Sequence, residues 1–196
     1  MCYCITLKGQ NLSGTLPPEL VNLRYLQNLD LSRNFLSGNI PREWGSMEQI
    51  QNISLLANRL TGSIPKELGN ISTLTTLTVE DNLLSGRIPE ELGNLSSIER
   101  LFLNSNYFTG ELPPSFANLI TVKEFRIGDN NFSGKIPNFI GEWTLLKNLR
   151  IQASGLEGPI PASITRLASL SDLRISDLRG PVTPIPSFAN QSFKNL

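Results

Sequence analysis

Apolar residues in this chain alternate with polar ones in short runs, and the runs return on a fixed beat. One passage shows the unit: Leu74-x-x-Leu77-x-Val79-x-x-Asn82-x-Leu84-x-Gly86-x-Ile88-Pro89. The phrase recurs every 24 residues, marked by Gly14, Gly38, Gly62, Gly86, Gly110, Gly134 and Gly158. Its alternation predicts a short strand with two apolar side chains pointing inward. The asparagine turns the chain out of the strand, and its amide can bond buried backbone groups of its own and the adjacent coil. Asn34, Asn58, Asn82, Asn106 and Asn130 form this expected ladder. The glycine permits a tight bend with positive φ. The proline after Ile fixes φ, lacks a donor and ends regular pairing. Strands of successive coils then stack in parallel, about 4.8 Å apart.

A period between about 20 and 29 residues with this phrase inside it is identified as the leucine-rich repeat signature. The expected fold class is an α/β-type repeat solenoid. It is a right-handed arc with a concave parallel sheet of about seven or eight strands and a convex side of 3₁₀ or short helical turns. Residues 1–196 read as a single domain. Residues 1–23 hold a partial first repeat with Gln10 in the ladder slot, and residues 24–143 hold five full repeats. In residues 144–167 the ladder asparagine has become Ser154, followed by Gly155, so the ladder is expected to weaken there. Residues 168–196 form an irregular repeat. Leu178 takes the asparagine slot, and Gly180-Pro181-Val182-Thr183-Pro184-Ile185-Pro186 replaces the usual turn. Exposed apolar faces are expected at Ile5 and Leu7 and around Phe188, Phe193 and Leu196, so the chain reads as a fragment of a longer array.

Composition narrows the function. Seventeen basic and seventeen acidic residues cancel, which argues against nucleic acid or an anionic membrane surface as partner. There is no histidine, which excludes His-based catalytic triads and His-metal sites. No Walker loop, G-x-G-x-x-G motif or 18-residue apolar run occurs. The pairs Glu90-Glu91 and Glu80-Asp81 read as solvated surface charge. The expectation is a chain that is not an enzyme and carries no cofactor or metal. Met1-Cys2-Tyr3-Cys4 lacks the basic and apolar regions of a signal peptide. Cys2 and Cys4 are poorly placed to bridge each other and read as remnants of an N-terminal cap.

Core leucines are fixed by packing, so specificity has to lie in the variable strand slots equivalent to Asn28, Asp30, Ser32 and Arg33. Two groups stand out. One is apolar: Leu56 and Phe102 on the sheet, with Phe35, Leu83 and Tyr107 just past the asparagines. It reads either as a binding surface or as ordinary scattered surface apolars. The other is a column of Arg126, Arg150 and Arg174 in one slot of three successive repeats. Stacked like charges repel. They need either a local acid network from Glu124, Asp172 and Asp129, or a bound anion such as a peptide carboxylate. Six N-glycosylation sequons, at Asn11, Asn52, Asn70, Asn94, Asn131 and Asn190, favour a secreted or lumenal protein. Asn70 and Asn94 are expected on the outer arc, and Asn52 on the concave face.

The form L-x-G-x-I-P, as in Leu60-Thr61-Gly62-Ser63-Ile64-Pro65, resembles the plant-specific class of leucine-rich repeats. That class is found in plant receptor kinase ectodomains and polygalacturonase-inhibiting proteins. The opening Cys2-x-Cys4-Ile5-Thr6-Leu7-Lys8-Gly9-Gln10-Asn11-Leu12 and the turn Ile175-Ser176-Asp177-Leu178 are similar to the malectin-containing receptor-like kinase subfamily. The resemblance implies a second sheet that adds twist to the solenoid. It implies a place on the extracellular side of the plasma membrane, with no direct membrane contact by this segment. It also implies a peptide or protein ligand, a co-receptor ectodomain, or both as partners, and a serine/threonine kinase elsewhere in the full-length protein. Related peptide receptors use paired arginines within one strand, and no Arg-x-Arg occurs here. The alternative is a soluble extracellular inhibitor or wall-binding protein of the polygalacturonase-inhibitor type. The full-length reading frame separates the two.

Overall fold

The computed structural model describes residues 3–181 and 184–187. In chain order its strands begin with β1 (Cys4–Thr6), β2 (Ser13–Thr15), β3 (Asn28–Asp30), β4 (Phe35–Gly38), β5 (Asn52–Ser54), β6 (Arg59–Gly62) and β7 (Thr76–Thr78). They continue with β8 (Leu83–Arg87), β9 (Arg100–Phe102), β10 (Tyr107–Gly110), β11 (Glu124–Arg126), β12 (Asn131–Phe132), β13 (Asn148–Gln152) and β14 (Asp172–Ser176). Two parallel sheets result. The main sheet has eight strands in the order β1-β3-β5-β7-β9-β11-β13-β14. The second has six, in the order β12-β10-β8-β6-β4-β2. The chain is a leucine-rich repeat solenoid, and the second sheet implied by the plant-type resemblance is present.

Register in the main sheet follows the sequence period: Leu29 pairs with Ile53, Ile53 with Leu77, and Leu77 with Leu101. All four are buried in one column. A second column of Leu31, Leu55, Val79, Leu103, Ile127 and Ile151 is buried beside it. Leu173 and Ile175 on β14 are only half-buried. Opposite the sheets run 3₁₀ turns such as Lys66–Asn70 and Glu90–Asn94, each entered from a proline in extended conformation. Their buried side chains include Trp44, whose indole N–H donates to the Pro17 carbonyl at 3.1 Å. The indole of Trp143, on the same side of the solenoid, donates to the Phe116 carbonyl at 3.0 Å. Both indoles stitch one coil to its predecessor.

The asparagine ladder is present as expected. Asn82 Nδ2 donates to Leu55, Val79 and Glu80 carbonyls at 3.0, 3.1 and 3.1 Å. Its Oδ1 accepts the Leu60 N–H at 3.0 Å. Asn34, Asn58, Asn106 and Asn130 bond their own and the preceding coil in the same way. At Ser154 the rung shortens: Oγ accepts the Leu156 N–H of its own coil at 3.3 Å. The Phe132 N–H, one coil back, goes instead to the Ser154 backbone carbonyl at 2.9 Å. The phrase glycines from Gly14 to Gly134 have positive φ, but in the sixth repeat that conformation falls on Gly155 (89°) rather than on Gly158.

Two columns were not foreseen. The residue before each ladder asparagine is left-handed whatever its type: Arg33, Ala57, Asp81, Ser105 and Asp129 have φ of 51 to 57°. Within the 3₁₀ turns, Gly45, Gly69, Gly93 and Gly141 are where the next coil presses in. A Cβ on Gly69 would lie 2.2 Å from the Glu91 carbonyl oxygen. The expected exposed faces are seen in part. Leu7 is exposed and Ile5 half-buried, whereas Phe188, Phe193 and Leu196 lie outside the described residues.

Candidate ligand-binding face

Strand alternation sends residues 76, 78 and 80 outward from β7 while Leu77 and Val79 go in. The same holds on β9 and β11. Cross-strand register sets Thr76 beside Arg100 and Arg100 beside Glu124, and Thr78 beside Phe102 and Phe102 beside Arg126. One step further lie Glu80, Asn104 and Gly128. Backbone bonds hold them in line, from Asp81 N–H to the Asn104 carbonyl (3.2 Å) and from Ser105 N–H to the Gly128 carbonyl (3.0 Å). Nine positions of three strands therefore make one patch, with Phe102 at its centre.

Arg126 crosses that centre. Its guanidinium lies 4.1 Å from the Phe102 ring centroid. Nη2 reaches Glu124 at 3.3 Å, and Nη1 reaches Glu80 at 3.6 Å. Glu80 is buried, at 9% exposure, which corrects its reading as solvated surface charge. Periodicity showed that it faces outward; it could not show that Arg126 folds over it. Burial, opposed by the Arg126 charge, holds the Glu80 carboxyl above its ordinary range. Burial also acts upward on Glu124, but hydrogen bonds from Asn148 and Arg100 and the Arg126 charge outweigh it, leaving the carboxyl lowered.

The arginine column is real in register: Arg126 pairs with Arg150, and Arg150 with Arg174. Its charges are offset locally. Arg150 and Arg174 both reach Asp172, each at 2.9 Å, and Asp172 is lowered by those hydrogen bonds against the upward pull of burial. The acids that do this are Glu80, Glu124 and Asp172. Asp129 makes no ion pair among the described residues, which corrects its expected part.

The apolar group does not form one patch. Phe102 lies on the main sheet under Arg126, and Leu56 is half-buried just beyond β5. Phe35, Leu83 and Tyr107 open β4, β8 and β10 of the second sheet, exposed by 45, 46 and 61%, with Arg59 4.8 Å over the Phe35 ring. Of the sequons, Asn70 and Asn94 end 3₁₀ turns and are exposed, as are Asn11 and Asn131. Asn52 does sit on the main-sheet face, but its carboxamide donates to Asn28 and accepts from Thr75 Oγ1 at 3.3 Å. Asn190 and Cys2 lie outside the described residues. Cys4 is a free, exposed thiol that accepts from Asn28 Nδ2 at 3.3 Å. Among the described residues no group of His, Cys, Asp and Glu could hold a metal, and no helix is long and apolar enough to cross a membrane.

Known proteins share this fold. The family model described as Leucine Rich Repeat matches residues 25–47, 73–95 and 97–119. No curated protein matches the sequence significantly. Solved structures do. The chain is 33% identical to a TDR receptor with a TM-score of 0.86, covering 89% of this chain and 30% of that one. It is 36% identical to the ectodomain of the Arabidopsis thaliana receptor kinase GASSHO1/SCHENGEN3, solved with CASPARIAN STRIP INTEGRITY FACTOR 2. There the TM-score is 0.84, and coverage is 86% of this chain and 20% of that one. It is 33% identical to the Arabidopsis receptor kinase HAESA, solved with the peptide hormone IDA and the co-receptor SERK1. There the TM-score is 0.73, and coverage is 89% and 33%. The chain thus spans a third or less of the length of each of these receptors. The repeats, the two parallel sheets and the asparagine ladder make it a leucine-rich repeat solenoid similar to plant receptor kinase ectodomains.

Proposed function

We propose that this chain is the ligand- or co-receptor-binding leucine-rich repeat region of a plant receptor-like kinase, and that residues 1–196 form one domain on the extracellular side of the plasma membrane. The observation that carries the reading is the likeness, over 86 to 89% of this chain, to receptor ectodomains solved with a peptide ligand or a co-receptor. The face supports it. On a sheet whose core repeats almost unchanged, the outward slots of β9, β11, β13 and β14 hold Phe102, Arg126, Arg150 and Arg174. Two further candidates lie apart from them, Leu56 just beyond β5 and Tyr107 at the start of β10 on the second sheet. Such a face suits recognition of a peptide or protein surface, with charge fixing the register of the partner.

Membership of the malectin-containing subfamily rests on the opening Cys2-x-Cys4 segment and the Ile175-Ser176-Asp177-Leu178 turn. The test is the full-length reading frame. A malectin-like domain, a membrane helix and a serine/threonine kinase downstream are expected. A frame that stops after a C-terminal cap overturns the receptor reading in favour of a soluble inhibitor.

A further inference from the structure

The Arg126 guanidinium is held by an arrangement that is more general than one intramolecular contact. It touches a ring face and two carboxylates, those of Phe102, Glu80 and Glu124, and Asn104 and Thr76 stand on the same face, Asn104 two residues past Phe102 and Thr76 beside Arg100. The fit is incomplete. Asn104 Oδ1 and Thr76 Oγ1 are buried with no hydrogen-bond partner, and so is Arg126 Nε itself. Buried polar groups without partners are rare in folded proteins and call for an explanation. Here the tether supplies one. Arg126 enters the patch from β11, and that approach turns Nε to a side with no acceptor while Asn104 goes unused.

We infer that Phe102, Glu80 and Asn104 form a recognition box for one arginine side chain of a partner, that Arg126 is its resident stand-in, and that Glu124 holds Arg126 when it is displaced. The inference rests on the receptor reading above for the nature of the partner, a peptide or protein. A guanidinium arriving from solvent is free of the β11 tether. It can stack on Phe102, pair with Glu80 and donate to Asn104 Oδ1 together, which Arg126 does not do. Exchange leaves no charge stranded. Arg126 swung off the ring keeps Glu124, two residues earlier on its own strand, within reach. Buried Glu80 keeps a cation throughout. A lysine ammonium is a weaker occupant, because it lacks the planar fork that stacks and bonds at once.

The box is tested by emptying it. The full chain carrying Arg126→Ala is titrated with ethylguanidinium and with its neutral isostere ethylurea, followed by NMR shifts of the Phe102 ring. Saturable binding of ethylguanidinium, at least about tenfold tighter than ethylurea, is expected, and adding Glu80→Gln should weaken it by about tenfold or more. No saturable binding, or equal response to the two probes, overturns the box. Should Arg126→Ala fail to fold, wild-type chain titrated with N-acetyl-arginine amide decides. A moving Arg126 Nε–H resonance is the expected displacement, and a fixed one overturns it. Neither arm depends on the reading frame, so failure of the receptor reading and failure of the box are separate results.

Discussion

Asn82 Oδ1 accepts the backbone N–H of Leu60, 3.0 Å away in the preceding coil, while its Nδ2 donates back to Leu55 of that same coil. One side chain thus satisfies buried groups of two coils. Asn82→Ala is expected to leave them without partners, at a cost of about 1–3 kcal/mol. Ser154→Ala removes one bond of 3.3 Å inside a single coil and should cost clearly less. Chemical denaturation of both variants checks this, and equal losses would contradict the ladder argument.

Gly69 and Glu91 touch across neighbouring 3₁₀ turns. A Cβ on Gly69 would lie 2.2 Å from the Glu91 carbonyl oxygen and 2.5 Å from its carbonyl carbon, both backbone atoms that cannot rotate away. Gly69→Ala should therefore push two coils apart and destabilise by about 1–3 kcal/mol, as overpacking does. Gly9→Ala is the contrasting variant, since nothing lies within 4 Å of its added Cβ and only its positive φ of 66° opposes it. Thermal unfolding should show the larger drop for Gly69→Ala.

How much of this was legible in the chain depended on whether one residue type answers one physical need. Leucine columns, ladder asparagines and Gly86 could be read because each slot demands its chemistry in every coil. The glycines of the 3₁₀ turns left a broken signal: Gly45, Gly69 and Gly93 keep the same period, but Ala117 interrupts it. The left-handed slot was not readable, because Arg33, Ala57, Asp81, Ser105 and Asp129 share no chemistry. The backbone there is held by its neighbours, as when Ala57 N–H donates to the Glu80 carbonyl at 3.0 Å. Nor could the patch be assembled from sequence. Arg126 covers Glu80 from two coils away, a contact set by side-chain reach rather than by any repeat.

The left-handed slot gives a third expectation. Ala57 has φ of 56°, which is strained for a residue with a Cβ by about 1–2 kcal/mol. Ala57→Gly relieves that strain but adds about 0.4–1 kcal/mol of unfolded-chain entropy. The net should lie between no change and a gain of about 1.6 kcal/mol. Ala57→Val should instead lose at least about 1 kcal/mol, because β-branched residues fit this region worst. Denaturant midpoints of the pair measure it, and a loss for Ala57→Gly like that of a glycine inside an ordinary helix would contradict it.

Glu80 and Asp172 should respond to pH with opposite signs. The Glu80 carboxyl is raised above 4.5 by burial, so the folded chain binds its proton more tightly than the unfolded chain does. Folding stability then falls as pH rises from the ordinary value through the raised one, and the penalty is complete above it. Replacing the acid removes the penalty, so Glu80→Gln should gain on wild type as pH goes from about 4 to about 7. Asp172 is lowered below 3.8, because hydrogen bonds from Arg174 and Arg150 outweigh the upward effect of burial. Its contribution is present above the ordinary value and lost as pH falls through the lowered one. Asp172→Asn should therefore trail wild type at about pH 6 and converge with it at about pH 2. Denaturant titrations of the three proteins across this range give the slopes. Parallel curves for wild type and Glu80→Gln would mean that the buried carboxylate carries no penalty, and that Arg126 balances it in full.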